Sequence, residues 1–251
     1  MATVISYIAA DARTFNLYEF IDENPIFSAQ KSTSYKIAFG ESQQSIVTGV
    51  GFEFDPTFGY PTAGTTTAAS TYVGGKIAAK LTGLSITTEQ ANQYIASNNP
   101  AAVNKDLFKG ADTIVGSKFN DYLDGFGGND SVTGGLGRDS LKGGTGADTF
   151  IFKTLADSTV SSTGRDTILD FRQSQGDKIS VKSIDAMSSS TINEAFHFIG
   201  DNGFTKHAGE LRAVISGTNT IVSGDVDGNG QADFSVLVKG IAELHAADFI
   251  L

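Results

Sequence analysis

The sequence predicts a mainly β protein whose middle is built from a short repeat. Between residues 107 and 151 an aspartate and a large apolar residue recur every nine residues without a slip. Before residue 60, aromatic residues are spaced for strands, and residues 46–54 alternate. We therefore expect three parts: a β-rich domain with one helix over 1–104, a coiled repeat over 105–153 and a β-rich cap over 154–251.

Composition narrows the classes of partner and chemistry. The chain has 251 residues, of which 40% are hydrophobic and 18% charged, so it can bury a core. Its formal net charge of -10 argues against nucleic acid or an anionic membrane as a partner and suits a protein that holds cations. It contains no cysteine, which excludes disulfides and thiol chemistry, and no apolar run reaches the roughly 18 residues of a membrane span.

The repeat consists of ladders that stay in phase. Units 134–142 and 143–151 match the pattern GGxGxDxUx in full, where U is a large apolar residue, and unit 125–133 matches in most positions. A flexible glycine-rich linker does not require a fixed spacing between its aspartates, glycines and apolar residues, so this pattern favours a folded repeat. The aspartate ladder is Asp112, Asp121, Asp130, Asp139 and Asp148, and the apolar ladder two residues later is Ile114, Leu123, Val132, Leu141 and Phe150.

Each unit reads as a turn followed by a very short strand. Six glycine-rich residues can form a turn that needs positive φ or close approach to an ion, and the next three form a strand with one side chain pointing inward. Two units complete one coil, and coils stack as parallel strands about 4.8 Å apart. The apolar ladder then forms a core, and aspartates eighteen residues apart lie one above the other.

Stacked carboxylates repel one another unless a cation lies between them. Calcium suits this position, because it takes six to eight oxygen ligands and accepts backbone carbonyls, whereas magnesium keeps its waters. Asp166 and Asp170 are candidates for a further site at the end of the repeats. The predicted calcium ligands in the repeats are the five ladder aspartates and the turn glycines Gly125, Gly127, Gly128, Gly134, Gly135, Gly137, Gly143, Gly144 and Gly146.

The repeats resemble those of the RTX family. Over roughly 105–251 the chain is similar to the C-terminal domain of serralysin-type secreted metalloproteases, through segments 164–171, 176–180, 195–200, 208–212 and 224–234. The resemblance implies a right-handed parallel β-roll that binds Ca²⁺, capped by a β-rich segment. It also implies an extracellular protein exported by the Gram-negative type I (ABC transporter) machinery, which would read the uncleaved C-terminal residues Asp248, Phe249, Ile250 and Leu251.

The N-terminus fits this route, because it reads as a first strand and lacks the basic flank of a cleavable signal peptide. The catalytic motifs of related secreted enzymes are missing. The histidines His197, His207 and His245 are isolated, no H-E-x-x-H zinc helix is present, and no G-x-S-x-G elbow is found. We therefore predict a non-enzymatic calcium-binding protein.

A second calcium candidate lies outside the repeats. The loop with Asp225, Asp227, Asn229, Gln231 and Asp233 places oxygen-bearing side chains as the first part of an EF-hand loop does, with Gly230 at the sixth position. Val236 stands where an EF-hand carries its bidentate glutamate. The loop is therefore either a weaker calcium site or a polar hairpin turn, since Asp, Asn and Gly are turn formers.

Residues 1–104 carry no motif of known chemistry. We expect one helix over 88–96, capped by Thr87 or Thr88. This part is predicted to be the cargo, an adhesive or glycan-binding module for an extracellular glycan or cell surface. The alternative is an enzyme acting on an extracellular polysaccharide through Glu53 and Asp55, which would share one strand face.

Overall fold

The computed structural model describes the backbone of six strands in the first 87 residues, residues 86–87, 89–90, 93 and 105–106, and 108–251 except 190–191 and 241–242. The described chain is mainly β, with helical residues at 89–90, 93 and 105–106 and two 3₁₀ turns at Gln173–Gln175 and Ala246–Asp248. The remaining residues of the helix predicted over 88–96 lie outside the described ones. The predicted fold class, a mainly β chain with parallel sheets, is confirmed. None of its described helices has the length and hydropathy needed to cross a bilayer.

The described residues contain eighteen strands, which form two sheets. The first sheet has eleven strands in the order β18-β13-β11-β9-β7-β1-β6-β5-β4-β3-β2, and the second has seven in the order β14-β15-β16-β17-β12-β10-β8. The strands are β1 Thr3–Ser6, β2 Ile26–Lys31, β3 Ser34–Phe39, β4 Gln43–Phe54, β5 Pro61–Val73, β6 Lys76–Thr87, β7 Thr113–Val115, β8 Tyr122–Asp124, β9 Ser131–Thr133, β10 Ser140–Lys142, β11 Thr149–Ile151, β12 Thr167–Ile168, β13 Lys178–Ser180, β14 His197–Phe198, β15 Glu210–Ser216, β16 Asn219–Asp225, β17 Phe234–Val238 and β18 Phe249–Ile250.

The repeats alternate between the two sheets. Strands β7, β9 and β11 pair in parallel in the first sheet, and β8 and β10 pair in parallel in the second. Consecutive units therefore supply opposite walls of one roll, as the nine-residue period predicts. The apolar ladder lies between the walls with no residue more than 3% exposed.

The roll continues beyond the regular repeats. In the first sheet β13 and then β18 extend the parallel stack from β11, and in the second sheet β12 and then β17 extend it from β10. Beyond β17 the second sheet continues as an antiparallel meander, in which β16 pairs with β17 and β15 pairs with β16. Phe150, Phe152 and Phe234 join the same core, and Phe152 meets Phe234 edge to face at 5.4 Å between ring centroids.

The strands of the N-terminal half extend the first sheet. β1 pairs in parallel with β7 of the roll and antiparallel with β6, and β6 to β2 follow as an antiparallel meander. After β6, the Thr87 hydroxyl accepts from the Gln90 N–H at 3.1 Å, and the Gln90 side chain accepts from the Thr87 N–H at 2.9 Å. This reciprocal cap marks a helix start at Thr87. The division into domains at 104 and 153 stays a prediction.

The roll core gives a direct test of the fold. Phe150 is fully buried, so Phe150→Ala should lower the free energy of unfolding by about 3–5 kcal/mol, because it leaves a cavity. Phe119 lies in the same roll but is 47% exposed, so Phe119→Ala should change it by no more than about 0.5 kcal/mol. Chemical denaturation in the presence of calcium measures both values. Equal losses would contradict the assignment of Phe150 to the core.

Candidate metal centre

One oxygen of each ladder carboxylate ties a coil to its neighbour. The Asp112 N–H donates to Asp130 Oδ1 at 2.7 Å, and the Asp130 N–H donates to Asp148 Oδ1 at 2.9 Å. On the other edge the Asp121 N–H donates to Asp139 Oδ1 at 2.8 Å. The predicted stacking of aspartates eighteen residues apart therefore takes the form of side chain to backbone hydrogen bonds.

The second carboxylate oxygen points into the turn of its own unit. Oδ2 of Asp130, Asp139, Asp148 and Asp166 is buried and accepts no hydrogen bond. A buried polar atom left without a partner costs on the order of 1–3 kcal/mol. A bound cation or a proton would stabilise these four oxygens, because no described side chain donates a hydrogen bond to them.

The turn glycines leave room for that partner. A Cβ placed on Gly125 would lie 2.3 Å from Asp130 Oδ2 and 2.4 Å from the Gly143 carbonyl oxygen. On Gly134 and Gly143 it would lie 2.3 and 2.2 Å from Oδ2 of Asp139 and Asp148, respectively. Any larger residue would fill a space lined by oxygens. Five other turn glycines, Gly128, Gly135, Gly137, Gly144 and Gly146, have positive φ, and Gly127 bridges to Thr145.

Burial makes these acids hard to ionise. Loss of solvent raises the pKa of Asp130 and Asp139 to about 7 and that of Asp148 to about 6. Burial likewise raises the pKa of Asp166 to about 9, and the neighbouring charge of Asp139 adds to the effect. In every case the hydrogen bond from the neighbouring coil opposes the shift without cancelling it.

A hard divalent cation fits this environment. It would lie among anionic oxygens that lack donors and backbone carbonyls that face the same space, the ligand types that calcium takes. It would also counter the charges that burial disfavours. The ladder acid Asp121 differs, because its Oδ2 accepts from the Ser117 N–H at 2.6 Å and from the Ser117 hydroxyl at 2.9 Å. Ser117 occupies a position that is glycine in the complete units.

The ladder continues past the repeats in two acids that take the same role. The Asp139 N–H donates to Asp166 Oδ1 at 2.7 Å, and the Asp148 N–H donates to Asp177 Oδ1 at 3.0 Å. Asp170, the other predicted end-site residue, accepts from the Gly143 and Gly144 N–H groups. Sequence reasoning missed Asp177. The signal for it is the tripeptide of aspartate, any residue and apolar residue, which recurs at 177–179.

The loop at 225–233 brings three of its five predicted ligands together. Carboxylate oxygens of Asp225, Asp227 and Asp233 lie within 4.8 Å of one another, and Asp225 is fully buried. The Gly228 and Gly230 N–H groups each donate to Asp225 at 2.8 Å. Asn229 binds Asp227 through its side chain, and Gln231 is exposed and donates its N–H to Asn229. Strands β16 and β17 flank the loop.

One prediction on the N-terminal half stays open. The side chain of Glu53 and all of Asp55 lie outside the described residues, so their pairing on one strand face is a prediction. The histidines show no metal-binding group, because among the described residues the only cluster of three potential ligands is the one in the 225–233 loop.

Part of the chain is similar to known proteins. Two solution structures from Azotobacter vinelandii are similar to part of the chain, both subunits of a mannuronan C5-epimerase. The R3 subunit is 30% identical, with 57% of this chain and 78% of that chain covered at a TM-score of 0.35. The R2 subunit is 33% identical, with 56% and 76% covered at 0.36. No curated protein sequence matches the chain.

The family described as peptidase M10 serralysin C terminal matches residues 92–251, well over half of the sequence. The match contains every stacked aspartate and the 225–233 loop, and it concerns the C-terminal domain of these peptidases, not the protease domain. This chain therefore belongs to the serralysin C-terminal family and is an RTX-type protein.

Proposed function

We propose that this protein binds calcium along its roll and folds when it meets calcium outside the cell. The observation that carries the proposal is the set of buried Oδ2 atoms of Asp130, Asp139, Asp148 and Asp166, none of which accepts a hydrogen bond. Calcium bound there would supply the missing partner and compensate the carboxylate charge. Because the sites exist only in the coiled state, binding energy adds to the folding energy.

The two oxygens of each ladder carboxylate have different roles. Oδ1 stays bonded to the backbone of the neighbouring coil and holds the carboxylate in place, so that Oδ2 faces the turn. At the low calcium level of the cytosol, burying these acids is unfavourable and the roll opens. At the millimolar calcium outside cells, sites with affinities of about 10⁻⁴–10⁻³ M would fill.

Export through the type I machinery fits such a switch. The proposed signal residues Asp248, Phe249, Ile250 and Leu251 include β18, which pairs with β13 at the end of the first sheet. Phe249 is buried against Phe198, with ring centroids 4.9 Å apart. A transporter could therefore read the buried side chains of Asp248 and Phe249 only before the roll closes over them, which supports export of an unfolded chain.

Two finer assignments complete the proposal. The 225–233 loop would be a second, separate calcium site, supported by the convergence of Asp225, Asp227 and Asp233. The N-terminal strands would form an adhesive or glycan-binding module and have no catalytic role. A Glu53→Gln variant separates this from the enzyme alternative, because loss of polysaccharide turnover in the variant would favour an enzyme.

Calcium removal tests the central claim. In chelator above about pH 7, circular dichroism of the full chain should lose most of the β signal from the roll, and added calcium should restore it, because the acids cannot all be buried in ionised form without a cation. Added magnesium should not restore the signal, since it keeps its waters. Identical spectra in chelator and in calcium would contradict the proposal.

A single substitution should have opposite effects with and without metal. In Asp130→Asn the amide oxygen can still accept from the Asp112 N–H, but the charge on the other arm is gone. We expect calcium affinity to fall about tenfold or more, equivalent to about 1.4 kcal/mol, while the calcium-free protein becomes more stable. Calorimetric titration and denaturation in chelator measure the two effects. Asp201→Asn, at an exposed acid, is the matched control, and equal effects of both variants would refute the assignment.

Acid should replace calcium in part. An aspartate whose folded pKa is raised stabilises the fold below its unfolded value near 3.8, and the stability is lost as pH rises through the folded pKa, here about 7 for Asp130 and Asp139 and about 6 for Asp148. In chelator the free energy of unfolding should therefore decrease from about pH 4 to about pH 7. With saturating calcium it should not decrease, because protons no longer compete. Equal pH slopes in both conditions would contradict this linkage.

A further inference from the structure

One turn of the roll has a different conformation from the turns that follow it in the repeat. In the regular turns the second and fourth positions both have positive φ, and these turns are residues 125–130, 134–139 and 143–148. In the turn at 116–121 those positions are Ser117 and Phe119, and neither has positive φ. We call residues 116–121 the serine turn.

The serine turn encloses the same kinds of oxygen as a regular turn. A Cβ placed on Gly116 would lie 2.1 Å from the Gly134 carbonyl oxygen and 2.9 Å from Asp121 Oδ2. A Cβ on Gly125 meets the matching carbonyl and carboxylate oxygens of a regular turn, at 2.4 and 2.3 Å. The two kinds of turn therefore share the oxygens that line this space and differ in what fills it.

Ser117 fills the space with hydrogen-bond donors. Its N–H and its hydroxyl both donate to Asp121 Oδ2, at 2.6 and 2.9 Å, and the hydroxyl also accepts from the Phe119 N–H at 3.1 Å. In the regular turns the corresponding Oδ2 atoms accept no hydrogen bond. Two donors thus satisfy the oxygen that a cation would otherwise bind, and their hydrogens occupy the place of that cation.

The side chain at the fourth position keeps the serine turn in this form. The regular turns have φ between 121° and 128° at that position, where each of them carries glycine. A residue with a Cβ rarely adopts such a φ. Phe119 stands at this position in the serine turn. The second position is less restrictive, because Phe126 adopts a φ of 63° there.

The serine turn also lies at one end of the roll. It leads into β8, which is an edge strand of the second sheet, and no described strand lies beyond β8. A cation in this turn would have a neighbouring coil on one side only. The protein would then supply fewer of the about six to eight oxygens that calcium takes.

We propose that the serine turn binds no calcium and that Ser117 takes the place of the ion. Asp121, which the repeat predicts to be a calcium ligand, then contributes to the fold through hydrogen bonds alone, and its carboxylate is satisfied at any calcium concentration. The calcium sites on this edge begin one coil later, at Asp139. The inference rests on the proposed function and deepens it, because it determines which turns of the roll respond to calcium.

The number of calcium ions bound by the full chain tests the inference, measured by equilibrium dialysis at saturating calcium. The double variant Ser117→Gly with Phe119→Gly restores the pattern GGxGxD in the serine turn. It should bind one more calcium ion than the wild type. The matched control is Lys118→Gly with Asn120→Gly, which adds two glycines at positions of the same turn that the pattern leaves free and should bind the wild-type number.

Three single variants test the turn of the wild-type chain. Asp121→Asn should leave the number of bound ions and their affinity unchanged. Asp139→Asn, one coil further along the same edge, should weaken one site about tenfold or more. Ser117→Ala should lower the melting temperature in saturating calcium, because a hydrogen bond is lost, without changing the number of ions.

Three outcomes would overturn the inference. These are the loss of one ion in Asp121→Asn, the wild-type number in a folded double-glycine variant, or the same gain in the control variant. If circular dichroism shows that the double-glycine variant does not fold, the result for Asp121→Asn decides alone. A wild-type chain that binds no calcium refutes the proposed function and this inference with it, whereas a chain that binds calcium through Asp121 refutes only this inference.

Discussion

The fold depends on carboxylates whose two oxygens face different neighbours. One oxygen accepts the backbone N–H of the adjacent coil, as Asp148 does for Asp130, and so fixes the spacing and register of the roll. The other is buried in its own turn without a donor. The same side chain therefore stabilises the coil through one oxygen and destabilises it through the other, which is buried without a hydrogen-bond donor. The balance between the two depends on a proton or a cation, which makes the stability of this part of the protein conditional.

The glycine pattern follows from that constraint in two ways. Gly125, Gly134 and Gly143 have no room for a Cβ, because the carboxylate oxygen occupies that space, whereas Gly128, Gly137 and Gly146 have φ between +121° and +128°. Where the pattern is broken, a local contact compensates. Phe126 adopts a φ of 63°, unfavourable for a side chain, and its ring stacks on Phe108 at 5.7 Å between centroids.

The sequence predicts the roll more completely than it predicts the parts of the chain around the roll. A strict period specifies which residues face inward, so the burial of Val132 and Leu141 follows from spacing alone. The acids that extend the stack have a weaker signal in the sequence, because the separation from the coil below grows from 18 residues to 27 for Asp166 and 29 for Asp177. The pairing of β1 with β7 has no local signal at all, since a parallel pair between distant segments leaves no periodic trace.

That distant pair joins the two halves of the chain. β7 is the first strand of the roll in the first sheet, and its outer edge would be open to other chains if β1 did not cover it. β1 in turn has β7 on one side and β6 on the other. Its parallel hydrogen bonds can form only when the first coil is in place, and closing so long a segment costs conformational entropy that the pairing must offset. The aspartates that order the first coil therefore influence the stability of the roll and also that of the β1–β6 pair at the end of the antiparallel meander.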